Sequence, residues 1–264
     1  MSEGFTAQWL SLREGYDARA RNTALLARLA GWRAGRGPLH VVDLGAGTGS
    51  SLRALAPALS GPQRWTLVER EPALIERGQA ALAGCGVAWA YHRLDLALDL
   101  DRLAEEPVDL ITASALIDLV SEPWLAGLLA WQHRAQAALY LALSYDGRCS
   151  WAPPLPFDEV VLALVNRHQR TDKGFGPALG PDAARRLREL SKDAEAGTSD
   201  WVLEPCDRAI QNELLTGYTQ AALAIAPSRT VEVAQWAHHR RRLMAAAASR
   251  LTVGHTDLLL LPGG

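Results

Sequence analysis

The sequence predicts an α/β fold: a doubly wound, seven-stranded, mostly parallel sheet with N-terminal helices and a helical lid insertion. Short apolar stretches alternate with helical stretches from residue 41 to residue 144, and the first of them runs into a turn with three alternating glycines, Gly45, Gly47 and Gly49. This alternation is typical of parallel sheets, because parallel neighbours need a crossover connection. With 264 residues, 48% of them hydrophobic, the chain is long enough for one large domain, which we predict over residues 1–264.

Local patterns predict the elements in order. Leu25, Leu26 and Leu29 recur at helical spacing, which indicates an N-terminal helical cap over residues 5–33. Apolar and β-branched runs predict strands at residues 41–44, 65–68, 87–92, 108–114, 138–144, 201–204 and 251–261, the last one reversed. Five prolines interrupt the pattern between residues 145 and 197, so this region is predicted to be a lid, in which Pro181 opens a helix that runs to residue 196.

Composition narrows the classes of partner. The net charge is −2 and the pI is near 6.4, so the overall charge requires no polyanionic partner. No run of about 18 apolar residues is present to span a membrane, and the first four residues lack signal-peptide features, so we expect a cytoplasmic chain. The three cysteines are odd in number and widely separated, which favours neither disulfides nor a zinc site, and we expect no metal.

The spacing of the glycine turn indicates its ligand. The dinucleotide fingerprint needs its third glycine at the position of Ser50, and the Lys-Ser/Thr ending of a phosphate-binding loop is absent. Asp43 stands two residues before Gly45, where a carboxylate suits a ligand that carries an ammonium and a sulfonium group.

Together these residues resemble the first motif of the class I S-adenosylmethionine-dependent methyltransferases, an acid-x-Gly-x-Gly-x-Gly turn. The resemblance covers residues 41–144 and implies S-adenosylmethionine as cofactor. The residues implied at this turn are Asp43, Gly45, Ala46, Gly47 and Thr48.

Further cofactor residues follow in the expected order. Glu69 closes the second strand, where a carboxylate can accept hydrogen bonds from two ribose hydroxyls, and Arg70 is placed to stack near the adenine. The resemblance implies that Asp95 bonds the adenine amino group and that the backbone N–H of Leu96 meets a ring nitrogen; Asp99 and Asp101 are close alternatives for the acid. It also implies that Ser114 begins a segment between cofactor and acceptor.

The N-terminal cap supplies polar candidates. In many proteins of the resembled family such a helical segment closes over the cofactor. Arg13, Tyr16, Arg19 and Arg21 are its polar candidates, and Arg21 is the one assigned to the cofactor's carboxylate. The alternative for each is a solvated helix face.

The sequence indicates less clearly which residues would bind the methyl acceptor. Many members of the resembled family have a histidine or an aromatic residue where this chain has Ile117 and Asp118, which leaves no ready-made base there. His168 ends an apolar helical stripe beside the glycine-rich residues 171–177, so it is the candidate to orient the acceptor or take its proton; a hydrogen-bonded core histidine is the alternative. The candidate substrate-binding residues are Asp118, Tyr145, Asn166 and Gln169.

The leading hypothesis is a methyltransferase that acts on a small molecule. An RNA or protein methyltransferase is the alternative, supported by the basic run at residues 238–242; consecutive helical residues fan around the axis, however, so we predict a solvated, multi-faced surface there and disfavour nucleic acid. A non-catalytic S-adenosylmethionine-binding protein is a third possibility, and Ser50 disfavours an NAD-dependent oxidoreductase. Predicted helices at 207–225 and 231–248 are candidates for a homodimer contact or for part of the acceptor pocket.

Overall fold

The computed structural model describes residues 6–105 and 107–263, so Phe5, the first residue of the predicted cap, lies outside the described residues. The strands are β1 (Leu39–Leu44), β2 (Gln63–Glu69), β3 (Ala88–Arg93), β4 (Leu110–Ser114), β5 (Ala138–Ala152), β6 (Glu195–Thr198), β7 (Trp201–Leu203) and β8 (Arg250–Leu260). The helices are α1 (Ala7–Ala20), α2 (Thr23–Arg33), α3 (Ser50–Leu55), α4 (Pro72–Ala81), α5 (Leu96–Leu103), α6 (Glu122–Ala135), α7 (Asp158–Gln169), α8 (Ala183–Leu190), α9 (Arg208–Ile225) and α10 (Thr230–Ala245).

The strands form one sheet in the order β3-β2-β1-β4-β5-β8-β6. The first five are parallel, and β8 runs antiparallel to β5 and β6. Strand β7 pairs with β8 beyond the end of β6, so these two short strands share one edge of the sheet. The predicted mostly parallel sheet with a reversed last strand is therefore confirmed. Two short strands, β6 and β7, stand in place of the single predicted sixth strand.

Two predicted boundaries are wrong. The helix after Pro181 ends at Leu190 instead of residue 196, and residues 195–198 form β6. The lid does not begin at Tyr145, because β5 continues to Ala152 through two register shifts. Asp257 stabilises the first irregularity: its carboxylate accepts hydrogen bonds from the Leu143 N–H and the Tyr140 hydroxyl, both at 2.8 Å.

Apolar residues pack in three clusters. One cluster joins α2 and α3 to one sheet face, and a second joins α5, α6 and α8 to the opposite face. Buried strands covered on both faces read as continuous apolar runs, which is why β1 was recognisable. The third cluster joins α7, α9 and α10 to the far ends of β5 and β8, and its largest members include Trp151 and Trp236.

Within the described parts of the chain, we find no helix that combines the length and the apolar character needed to cross a bilayer.

Candidate functional site

A cavity lies at the carboxyl ends of β1, β2 and β4, the usual ligand position in an open α/β sheet. The glycine turn after β1 forms its floor, and α1 covers it from above. The lining includes the predicted residues Gly45, Ala46, Gly47, Thr48, Glu69, Arg70, Asp95, Leu96 and Ser114. The structure thus brings nine of the eleven predicted cofactor residues to one cavity.

The three glycines of the turn all have positive φ: +65° at Gly45, +54° at Gly47 and +80° at Gly49. Residues other than glycine rarely adopt such backbone angles. A Cβ at Gly47 would lie 3.1 Å from the side chain of Leu10, which lines the cavity, whereas one at Gly49 would lie 2.7 Å from Leu82 in the core. Gly47 therefore keeps the cavity open, and Gly49 allows the packing beneath it.

Glu69 holds the glycine turn as well as lining the cavity. One of its carboxylate oxygens accepts the Gly47 N–H at 2.9 Å, and the other accepts the N–H groups of Arg70 and Glu71 at 2.8 and 3.0 Å. Tyr91 supports the same turn, because its hydroxyl donates to the Gly47 carbonyl at 3.1 Å. Sequence reasoning missed Tyr91, since only the sheet register brings β3 beneath the turn.

At the other end of the cavity, Arg70 links two acids. Its guanidinium lies 3.1 Å from Glu71 and 3.5 Å from Asp95. Asp95 caps α5 by accepting the Ala97 N–H at 3.0 Å, and the carbonyl of Leu96 accepts the indole N–H of Trp124 at 2.7 Å. These contacts order the segment after β3 in the position predicted for an adenine.

Arg21 and Asp43, the other two predicted cofactor residues, are not among the described lining residues and lie buried behind the wall. Arg21 donates one hydrogen bond to the Ser114 hydroxyl at 3.3 Å. By strict hydrogen-bond geometry within the described chain, its other two buried nitrogens and both Asp43 oxygens are unpartnered, although Ser51 and Tyr140 lie near enough to interact with Asp43 and Arg21. Buried groups normally find full partners, so these two side chains fit a ligand that carries both an ammonium and a carboxylate.

Asp43 is expected to make stability depend on pH. Burial raises its pKa to about 7, with Arg21 and a hydrogen bond from Ser51 opposing the shift and Glu69 adding to it. Between the ordinary value of 3.8 and about 7, the folded chain therefore retains a proton that the unfolded chain has lost, so stability falls as pH rises. Asn at this position removes the effect. The measured quantity is the unfolding free energy of Asp43→Asn minus that of wild type. We expect this difference to increase by up to about 1.4 kcal/mol with each pH unit in this window.

Urea denaturation of the ligand-free chain at several pH values between about 4.5 and 7 measures this difference. The exposed Asp101→Asn variant is the matched control for the loss of a surface carboxylate. A stability difference between Asp43→Asn and wild type that stays constant with pH would show that Asp43 does not titrate in this window.

The acid Asp17 was not predicted, although it lines the cavity one helical turn from Arg13. The two side chains form a buried bidentate ion pair at 2.9 and 3.2 Å, and Asp17 also accepts the indole N–H of Trp201 at 3.1 Å. The spacing of four residues was the available signal.

Glu14 on the same helix pairs with Arg53 at 2.6 Å, and Arg53 donates to the Thr48 carbonyl at 2.7 Å. Helix α1 is thereby tied to the glycine turn.

None of the candidate acceptor residues is among the described residues that line the cavity. The Tyr145 hydroxyl donates to Asn166 at 2.8 Å, and Asn166 donates to the Gly147 carbonyl at 3.0 Å. Gln169 is half-buried at the end of α7. Asp118 is buried with one carboxylate oxygen unpartnered among the described residues, and burial raises its pKa to about 6.

His168 is half-buried, and its Nδ1 lies 3.4 Å from the Nζ of Lys173, which does line the cavity. Burial and the neighbouring Lys173 charge both lower the pKa of His168. The histidine therefore reaches the cavity wall through Lys173, which sequence reasoning did not assign to the site.

Comparison with known proteins agrees with this geometry. Residues 41–137 match a family model described as a methyltransferase domain. The chain is similar to the structure of a cyclopropane-fatty-acyl-phospholipid synthase-like protein from Lactobacillus casei, with 15% identity and a TM-score of 0.50 over 98% of this chain and 95% of that one. It is also similar to a methyltransferase from Thiobacillus denitrificans in complex with S-adenosylhomocysteine, with 15% identity and a TM-score of 0.46 over 98% and 100% of the two chains. No curated protein matches the sequence.

The fold places a cavity over a glycine turn in an α/β domain. Residues 41–137 of the chain carry a methyltransferase domain. This match agrees with the predicted enzyme activity and with the predicted cofactor, S-adenosylmethionine.

Proposed function

We propose that this methyltransferase acts on a small molecule. The lining of the cavity supports this proposal: Leu10, Arg13 and Asp17 of α1 and the segment around Lys173 and Phe175 leave a pocket of small-molecule size over the glycine turn. The exposed basic residues of α10 are not among the described lining residues, so no basic track leads to the cavity from that helix.

For the cofactor, the predicted residues keep their roles in this proposal. Gly45, Ala46, Gly47 and Thr48 approach its methionine part. Arg21 and Asp43, behind the wall, are assigned to its carboxylate and ammonium, and Ser114 holds Arg21 in place. Glu69 binds the ribose hydroxyls. Arg70, Asp95 and Leu96 contact the adenine.

When bound, the cofactor supplies an electrophilic methyl group on a sulfonium. The chain's own contribution is orientation: the turn and α1 hold the cofactor, and the loop after β4 is the proposed boundary between cofactor and acceptor. Roles for His168 in orienting or deprotonating the acceptor, and for Asp118, Tyr145, Asn166 and Gln169 in binding it, stay predictions. A homodimer contact through α9 and α10 stays a prediction as well.

Glu69→Gln tests the cofactor arrangement. The amide keeps the shape of the carboxylate but loses charge-assisted hydrogen bonds, each worth roughly 1.5–3 kcal/mol. We expect calorimetry to show roughly 10- to 150-fold weaker binding of S-adenosylhomocysteine. The exposed Glu76→Gln variant on α4 is the control and should bind normally. Unchanged affinity in Glu69→Gln would exclude an acidic ribose contact at this position.

The substrate class is tested separately with S-adenosylmethionine that carries a radiolabelled methyl group. Cell extract is divided into small-molecule, RNA and protein fractions, and each is incubated with the enzyme. We expect label in the small-molecule fraction and none with Gly47→Val. Label confined to RNA or protein would contradict the proposal.

A further inference from the structure

Lys173 is an unpaired cation on the cavity wall. Its Nζ donates to the Thr171 hydroxyl at 3.0 Å and to His168 Nδ1 at 3.4 Å, both neutral partners. Within residues 6–105 and 107–263 no carboxylate pairs with it, whereas the other two described cations on the lining, Arg13 and Arg70, are both paired with acids.

The neighbouring acid does not neutralise it. Asp172 turns its carboxylate into its own loop, where one oxygen accepts the N–H groups of Gly174 and Gly176 at 2.7 and 3.0 Å. Both glycines have positive φ, +101° and +84°. The loop therefore turns sharply around the Asp172 carboxylate and leaves Lys173 on the cavity side.

The loop is anchored on the wall of the cavity at two places. Phe175 packs edge-to-face against Trp124, with ring centroids 5.5 Å apart. Farther along, Leu179 and Gly180 donate backbone hydrogen bonds to Val120 and Asp118 at 2.8 and 2.9 Å. These contacts hold the loop against the segment after β4, which the proposed function places between cofactor and acceptor.

Holding this cation without a counterion is unfavourable, because a partly buried ammonium loses hydration. Burial accordingly lowers the pKa of Lys173. An anion in the cavity would restore the lost interactions.

We propose that Lys173, positioned by His168 and Thr171, binds an anionic group of the methyl acceptor, so that the acceptor is a small molecule bearing a carboxylate or a phosphate. This inference rests on the proposed function. It gives His168 a positioning role: a neutral imidazole accepts from the ammonium and directs it toward the cavity.

The chain has only two lysines, Lys173 and Lys192, which makes a direct test possible. Selective ¹³Cε-lysine labelling gives two side-chain NMR signals, and the exposed Lys192 is an internal control. Protein saturated with S-adenosylhomocysteine is titrated with acetate or inorganic phosphate against chloride at equal ionic strength. We expect a saturable shift of the Lys173 signal only, and the tighter anion identifies the preferred acid. Parallel shifts of both signals, or none, would overturn the inference.

Variants supply the second readout. The rise in Tm that the anion causes in protein saturated with S-adenosylhomocysteine is the readout, and the Tm without anion checks that each variant folds. We expect Lys173→Met to abolish this anion-dependent rise, Lys173→Arg to retain it, and His168→Gln to weaken it severalfold. Lys173→Met should leave binding of S-adenosylhomocysteine and of methylthioadenosine unchanged. Weaker binding of the former alone would show that Lys173 holds the cofactor's carboxylate and overturn the inference. Failure of the wild type to bind S-adenosylhomocysteine would instead overturn the proposed function, and this inference with it.

Discussion

Gly47→Val is expected to abolish cofactor binding, the largest functional effect of any single change in the cavity. Residue 47 has a φ of +54°, and its first added carbon would lie 3.1 Å from Leu10, in the gap between the glycine turn and α1. Valine adds two further methyl groups at this point. It also strains the backbone that presents the Gly47 N–H to Glu69.

Calorimetry with S-adenosylhomocysteine measures the effect, and Gly47→Ala provides a graded variant in case valine prevents folding. The Gly84→Val variant separates the effect of backbone strain from the effect of blocking the cavity. Gly84 has a φ of +76°, and no atom lies within 4 Å of an added Cβ. Both valine variants carry comparable strain, of order 1–3 kcal/mol, but only the first should lose binding. Normal affinity in folded Gly47→Val would contradict the placement of the cofactor over this turn.

Arg240→Met is expected to cause the largest loss of stability, about 3–5 kcal/mol, because it removes a fully buried guanidinium and leaves the partly buried Asp158 carboxylate without its counter-charge. Arg240 is fully buried and pairs through two nitrogens with Asp158. It also donates to the Pro153 carbonyl at 2.8 Å, and its guanidinium lies 5.0 Å from the ring centre of Trp151. Trp236 donates to the same carboxylate at 2.7 Å.

The neighbouring Arg241 gives the matched control. It is exposed on the same helix, so Arg241→Met should change the free energy of unfolding by no more than about 0.5 kcal/mol. Urea denaturation measures the unfolding free energy of the wild type and of both single arginine variants. Adding Asp158→Asn to Arg240→Met should recover part of the lost stability. Equal midpoints for the two arginine variants would contradict the structural role assigned to Arg240.

The run at residues 238–242 shows how far a local pattern can be taken. A solvated, multi-faced surface was predicted there. His238, His239, Arg241 and Arg242 are exposed as expected, but Arg240 is not. Its partner Asp158 lies 82 residues away, and that distance in sequence hides the pair from any local pattern.

The sequence by itself determined the elements whose cause is local. Strands β1 to β4 follow from apolar runs, the glycine turn follows from backbone angles that only glycine adopts readily, and the spacing of Asp43 and Glu69 indicates the cofactor. The extension of β5 past Tyr145 could not be predicted, because it depends on antiparallel pairing with the first residues of β8, which are distant in sequence.

Only the tertiary structure decided which charges are buried and which face the cavity. Arg13 and Asp17 could have formed a solvated pair on α1, but Trp201 covers them and burial makes the pair part of the site. Lys173 lies in a polar loop that resembles any exposed turn, and its place on the cavity wall depends on the packing of Phe175 against Trp124. The reason is physical: desolvation and charge pairing are set by neighbours in space, whereas backbone conformation and hydrophobic periodicity are set by neighbours in sequence.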